Sequence, residues 1–371
     1  MQFDFNEQQN EFRQEARRFL AAECPADRVR KALEGGGFDR ALWQGVAEMG
    51  FLGIAIPEEH GGLGLGYLEL CAVAEEFGRA IVPLPILSSI YLAAEAIKSF
   101  GTPDQQAAWL PRIAAGAAIG CLASVEGERL TEKSTRATFA NNTLNGTKAP
   151  VLDGDIADVA IVLAKEGDAL SLVLVDLAHD SVARRPLDTI DPTRSQAELT
   201  FTNAPAQRLG ERGEGWAMLQ TLLDRAAVLV AFEQIGGADR ALEMGRDYAL
   251  ERMAFGRQIG SFQAIKHMLA DMYVSATLAR SNAYYGAWAL STGAAELPRA
   301  AATARVSGTN AFRHCAKNNI QVHGGMGFTW QMDCHLFYRR SNQLALALGG
   351  QPDWEEKLVT RLAAANEPLA A

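Results

Sequence analysis

The sequence predicts a mainly α protein with a small β-domain in its middle, because the hydrophobic period changes twice along the chain. Apolar residues recur at helical intervals before residue 120, short Leu-rich or β-branched runs follow, and the helical period returns from Gly215 almost to the end. The boundaries read as 1–118 for an N-terminal helical domain, 119–212 for the β-domain and 213–371 for a C-terminal four-helix bundle.

The first helix is expected to start at Asp4 and Glu7, spaced as a capping box, with Phe5, Phe12, Ala16, Phe19 and Leu20 forming its apolar stripe. A Gly-rich interruption, PEEHGGLGLG, separates the early helices from LELCAVAEEFGRA, and Pro103 and Pro111 bracket a further helical segment. Strands are read at ADVAIVLA (157–164), LSLVLVDL (170–177) and AELTFT (197–202), divided by the turn signals NGT, DGD, KEGDA and DPT. Long helices are expected over 215–253, 261–294 and 298–322, with Ser261 capping the second. Segregated helices and strands argue against an alternating parallel sheet, and no G-x-G-x-x-G follows a strand, so a Rossmann fold is disfavoured. A bundle of this length often pairs its outer faces between subunits, so an oligomer is expected.

A chain of 371 residues with 48% hydrophobic and 21% charged residues is an ordinary folded composition, long enough for two or three packed units. A net charge of -9 without basic runs argues against nucleic-acid binding. The acidic residues of MQFDFNEQQNEFRQEARRFL do not fit a secretory signal, and no apolar run reads as membrane-spanning, so a cytoplasmic location without membrane insertion is expected. Five cysteines, odd in number, far apart and never in C-x-x-C, suggest neither a disulfide framework nor a zinc site.

Two segments carry unusual chemistry. In RMAFGRQIGSFQAIKHMLADMY (252–273), Arg252 and Arg257 flank a Phe255-Gly256 turn at a helix entry, where guanidinium groups and free backbone N–H groups would hold a phosphate or pyrophosphate. An Arg-rich surface turn explains the same residues without a ligand. In QVHGGMGFTW (321–330), three glycines in four positions allow close backbone approach, and Gln321 and His323 offer planar hydrogen-bonding edges. A Gly-rich connection between helices, with His323 as a packing residue, is the alternative.

In this order and spacing the two segments resemble the acyl-CoA dehydrogenase family of flavoproteins. The resemblance continues through IPEEHGGLGLGYLELCAVAEEFGRA, LNGTKAPVLDGDIADVAIVLA and FYRR, and so covers nearly the whole chain. It implies an N-terminal helical domain, a β-barrel-like middle domain and a C-terminal four-helix bundle, with FAD as cofactor. By the same resemblance Arg252, Phe255 and Gln263 hold the FAD of a neighbouring subunit, and Gln321, Gly324 and Gly325 reach its adenosine and pyrophosphate end. The implied reaction is α,β-dehydrogenation of an acyl-CoA thioester to a trans-2-enoyl-CoA, with an electron-transferring flavoprotein as acceptor.

The base that reaction needs is hard to find. Many family members carry Glu-Gly in the loop after the Y-R-D motif, and alignment through Tyr338 and Arg339 places Leu348 and Gly349 there; no carboxylate occurs from Ser341 through Pro352. Bringing Glu355 or Glu356 into register would require a helix break that the sequence does not signal. Members that take the base from the first long bundle helix would use the position of Ala226. Glu233 lies seven residues on, about two turns further along the same face, in a stripe with Val230, Gly236, Gly237 and Ala241. Asp224 lies two residues back, turned away by about 160°. Desolvation within that stripe would raise the pKa of Glu233 toward that of a general base, which makes Glu233 the candidate base and Asp224 the runner-up. A structural ion pair between Glu233 and a cation of another helix is the competing reading. The T-E-P-x-x-G-S-D-like segment, which touches the flavin ring in the family, corresponds by position alone to CLASVEGERLTEKSTRA (121–137), and a solvated loop is the ligand-free reading of Ser124 and Glu126.

Four functions follow. The chain is a competent homodimeric or homotetrameric dehydrogenase with an unusual base, or one subunit of a heterotetramer whose paralogous partner supplies the base. Otherwise it is a non-catalytic scaffold of the same fold, or a flavin oxidase or hydroxylase.

Overall fold

A computed structural model describes residues 5–127 and 129–366. Its helices are α1 (Glu7–Glu23), α2 (Ala26–Lys31), α3 (Arg40–Glu48), α4 (Tyr67–Arg79), α5 (Glu95–Phe100), α6 (Pro103–Ala114), α7 (Gly215–Glu251), α8 (Gln263–Thr292), α9 (Leu297–His323), α10 (Cys334–Leu346) and α11 (Gln351–Asn366). The strands are β1 (Gly120–Ala123), β2 (Thr138–Ala140), β3 (Thr143–Leu152), β4 (Val159–Glu166), β5 (Ala169–Asp176), β6 (Val182–Leu187), β7 (Gln196–Pro205), β8 (Gln207–Leu209), β9 (Met253–Ala254) and β10 (Arg257–Gln258). The order of helices, then strands, then helices follows the change of period.

The first helix start differs in detail. Asp4 lies outside the described residues, and α1 is opened by a capping box two residues further on: the Gln9 N–H donates to the Asn6 side chain at 2.8 Å and the Asn6 N–H to the Gln9 side chain at 3.0 Å. Ser261 does not cap α8. Its hydroxyl donates to the Gln258 carbonyl within a 3-10 turn, and Phe262 precedes the helix.

The chain packs as two compact units, one of residues 1–30, 67–82 and 227–371, the other of residues 31–66 and 83–226. The second unit holds an eight-stranded sheet in the order β6-β7-β3-β2-β4-β5-β8, with β1 paired parallel to β4. Strands β4 and β5 are apolar on both faces, which is why they read as continuous hydrophobic runs and not as alternating ones.

In that unit Glu126 is no solvated loop residue. Its side chain, 8% exposed, pairs with the fully buried Lys148 ammonium at 2.6 Å and accepts the N–H groups of Arg136 and Ala137. Burial pushes its carboxyl up, but those N–H groups and Lys148 outweigh burial and hold it below the usual carboxylate range. A lowered folded pKa contributes stability that is present above the unfolded value of about 4.3 and is lost as pH falls through the folded value. Glu126→Gln should therefore lower the melting temperature at neutral pH and flatten its fall below pH about 4. Parallel acid profiles for the two proteins would remove Glu126 from the account.

The first unit is helical. Gly78 of α4 and Gly236 of α7 let the two backbones touch, since a Cβ at Gly78 would overlap the Glu233 carbonyl and one at Gly236 the Glu75 carbonyl. At the end of α4 the Ile81 N–H donates to Gly78 and the Val82 N–H to Phe77, a Schellman ending. Its left-handed position is filled by Ile81, at φ +50°, where glycine is the strain-free residue and a β-branched one costs about 1–2 kcal/mol.

Helix α7 is long and apolar enough to cross a membrane by length and composition, a property that no single apolar run within it displays. Its most apolar window is 72% buried within the protein, as in a core helix. All five cysteines are buried thiols, none in a disulfide.

Candidate functional site

The residues expected to hold a nucleotide cofactor lie at one end of the bundle. Helix α7 runs into a two-residue hairpin, β9 to β10, closed when the Ile259 N–H donates to the Arg252 carbonyl at 2.9 Å. The turn residues Phe255 and Gly256 have φ of +51° and +77°, a pair of left-handed residues of the kind that close two-residue hairpins. Gly256 accepts this freely and Phe255 does not. The Phe255 ring is nevertheless 96% exposed, edge-on to Phe262 at 6.1 Å, while Arg257 stacks its guanidinium on Phe262 at 4.1 Å.

Within this chain the edge contact with Phe262 is the one ring contact of this strained and otherwise bare residue among the described residues. Arg252 and Gln263 are exposed beside it. At the end of α9, Gln321 is exposed, Gly324 adopts φ +58°, and a Cβ on Gly324 or Gly325 would meet nothing within 4 Å. Glycine backbone with open space around it, an exposed guanidinium and a bare aromatic face suit a flat, anionic cofactor approached from outside the chain. The residues present therefore fit FAD.

Tyr248 and His323 fasten the two segments together. Their rings stack at 4.1 Å, Tyr248 one turn before Arg252 and His323 next to Gly324. The His323 Nδ1 and the Asn319 carbonyl lie 2.8 Å apart, and burial lowers its pKa, so the ring is a neutral packing group. Sequence reading missed Tyr248 because a tyrosine one turn from a helix end carries no signal until its stacking partner is known.

Phe255→Gly has an expected effect of two signs. Removing the left-handed side chain should stabilise the flavin-free protein by about 1–2 kcal/mol, while lowering bound flavin measured by visible absorbance. Retained flavin in the more stable variant would remove Phe255 from the cofactor surface.

The candidate bases fare differently. Glu233 is 0% exposed, with its Oε1 3.9 Å from Nη1 of Arg340, itself 0% exposed; that guanidinium also donates to the Val82 carbonyl at 3.1 Å. The structural ion pair weighed against catalysis is thus what the helices form. Asp224 is buried as well, at 5% exposure, in the other compact unit. Ala226, at the helix position some members use, is buried and apolar.

The chain does break after α10, at residues 347–350, where Gly349 takes φ +98°. Leu348 is buried there, and its carbonyl accepts the Trp354 indole N–H at 3.0 Å. The break does not bring a glutamate into the loop. Glu355 and Glu356 are exposed on α11, and the Gln351 side chain donates to Glu355 at 2.7 Å. Asp353, next to Pro352, turns back so that its Oδ2 accepts the Gly350 N–H at 3.1 Å, a cap for α11.

The order of helices, central sheet and helices is that of a flavoprotein dehydrogenase architecture. The chain belongs to the acyl-CoA dehydrogenase family: residues 6–117 match the family's N-terminal domain and residues 213–353 its C-terminal domain. Members are FAD-dependent oxidoreductases acting on acyl-CoA thioesters. The acyl-CoA dehydrogenase IpdE2 of Mycobacterium tuberculosis is 35% identical over 313 residues, which are 84% of this chain and 83% of that one. Among solved structures, the ChsE4-ChsE5 complex from Mycobacterium tuberculosis has a chain with a TM-score of 0.90 and 28% identity, each chain covered in full. The Tcur3481-Tcur3483 steroid ACAD G363A variant has one at 0.89 and 29%, over 98% of this chain and 99% of that one.

Proposed function

We propose that this chain is the cofactor-supporting subunit of a heteromeric acyl-CoA dehydrogenase, and that a paralogous subunit supplies the catalytic base. The observation that carries the reading is the buried Leu348 in the loop where a glutamate is expected, together with Glu233 engaged by Arg340. A general base must reach the proton it removes, and neither Glu233 nor Asp224 is presented for that. Solved relatives of 28% and 29% identity are named as pairs of chains, ChsE4-ChsE5 and Tcur3481-Tcur3483, which supports the heteromer.

The chain's own contribution is positional. Arg252 and the Gly324–Gly325 backbone hold the anionic pyrophosphate, and Phe255 and Gln263 close on the nucleotide that the partner's active site uses. FAD, when bound, supplies the acceptor for the hydride leaving the β-carbon. Tyr273, Val274 and Leu278, all more than half exposed on α8, form an apolar stripe suited to a subunit contact. Cytoplasmic location and re-oxidation by an electron-transferring flavoprotein belong to the same proposal.

The test is anaerobic flavin reduction by an acyl-CoA, with this chain alone and co-expressed with a paralogue. A steroid-bearing acyl-CoA is the first substrate to try, since the 29% identical relative is named as a steroid ACAD. Turnover should require the pair and vanish when the partner's loop glutamate becomes glutamine. Full turnover by this chain alone would overturn the reading.

A further inference from the structure

A cavity of about 400 Å³ opens in the helical unit among α1, α2, α4, α7 and α10, and it contains none of the residues assigned above to flavin or base. That volume lies within the range of small-molecule sites. Its wall is apolar along Leu20, Val29, Ile81, Met244, Leu336 and Phe337, while Arg17, Arg79 and Arg240 stand around it.

Among the described residues, the charges about the cavity do not balance. Arg17 takes both oxygens of Glu76, at 2.8 and 2.7 Å, and Arg30 pairs with Asp333. Arg79 and Arg240 converge on a single oxygen, Oε2 of Glu243, the second at 3.3 Å. Four guanidinium groups thus meet three carboxylates, in a chain whose net charge is -9. The adjoining cluster cancels itself, with Arg13 and Arg280 against Glu75 and Asp239.

The wall carries a second sign. Ile81 lines the cavity from the left-handed position that ends α4, where glycine would fit without strain. A large apolar side chain kept at such a position is accounted for by the surface it presents.

We propose that this cavity binds a monoanionic amphiphile, a free carboxylic acid whose carboxylate lies at Arg79 and Arg240 and whose apolar body lies along Ile81, Met244 and Phe337. One negative charge completes the group of four cations and three anions, and the apolar wall takes the chain or ring that a small inorganic anion lacks. The site is separate from the thioester chemistry and does not rest on the heteromer reading.

Calorimetric titration with decanoate tests it, using the protein as isolated with its flavin and any co-purifying subunit, and with acetate as the chainless control. Saturable binding of one decanoate per chain is expected, with no detectable acetate binding. Arg240→Gln should weaken decanoate about tenfold through loss of a charge-assisted contact. Ala21→Phe, which fills the cavity from its lining, should abolish binding, and flavin absorbance should be unchanged in both variants. Unsaturable heat, equal binding of acetate, or decanoate affinity unaltered in both variants would each overturn the proposal.

Discussion

Arg340→Met should destabilise the protein by about 3–5 kcal/mol, the largest loss expected from any single side chain here. Arg340 and Glu233 are both at 0% exposure, and removing the cation leaves a carboxylate buried without its counter-charge. The Val82 carbonyl loses a donor as well. The double variant Glu233→Leu with Arg340→Met should regain much of that loss, because replacing a whole buried pair by apolar groups is often neutral. Chemical unfolding of the two single variants and the double completes the cycle. Additive losses would show that the pair does not act as a unit. Flavin content offers a separate readout, since neither residue lies on the cofactor surface.

Gly236→Ala should cost stability at the upper end of the roughly 1–3 kcal/mol typical of overpacked sites. The obstacle is backbone, the Glu75 carbonyl of α4, which cannot rotate away as a flexible side chain would. Gly78→Ala should behave alike, because its Cβ would overlap the Glu233 carbonyl from the other helix. Gly245→Ala, in the same helix, is the control. Its Cβ would find ordinary contacts at 3.5 Å and beyond, so the better helix propensity of alanine, worth up to about 1 kcal/mol, should leave it neutral or stabilising. Thermal unfolding that ranks Gly245→Ala below Gly236→Ala would refute close helix approach as the cause.

Much of the fold was legible because period and length survive without contacts. The long helices are placed within a few residues of the reading, as α7, α8 and α9 show. The capping detail was not legible: Asp4 and Asn6 both stand three residues before a partner, and only the hydrogen bonds select Asn6 with Gln9. The Arg252–Gly256 turn and the Gly324–Gly325 pair stood out in the sequence as exposed-looking, Gly-rich stretches, but a surface turn and a helix connection explained the residues as well, and their cofactor role came from the family resemblance. That Phe255 takes a left-handed φ of +51° was not legible, because backbone strain in a turn leaves no trace in the hydrophobic pattern.

Local chemistry decided where helices and strands begin and end, and it showed that the loop after α10 lacks its expected glutamate. Those are properties of neighbouring residues. Whether Glu233 was a base or half of an ion pair depended on Arg340, more than a hundred positions away in sequence, and only packing could bring the two together. The same holds for Glu126 with Lys148 and for Tyr248 with His323. A side chain's charge and shape are written in the sequence, but its dielectric surroundings and its partner are made by the fold, and those set what a buried carboxylate can do.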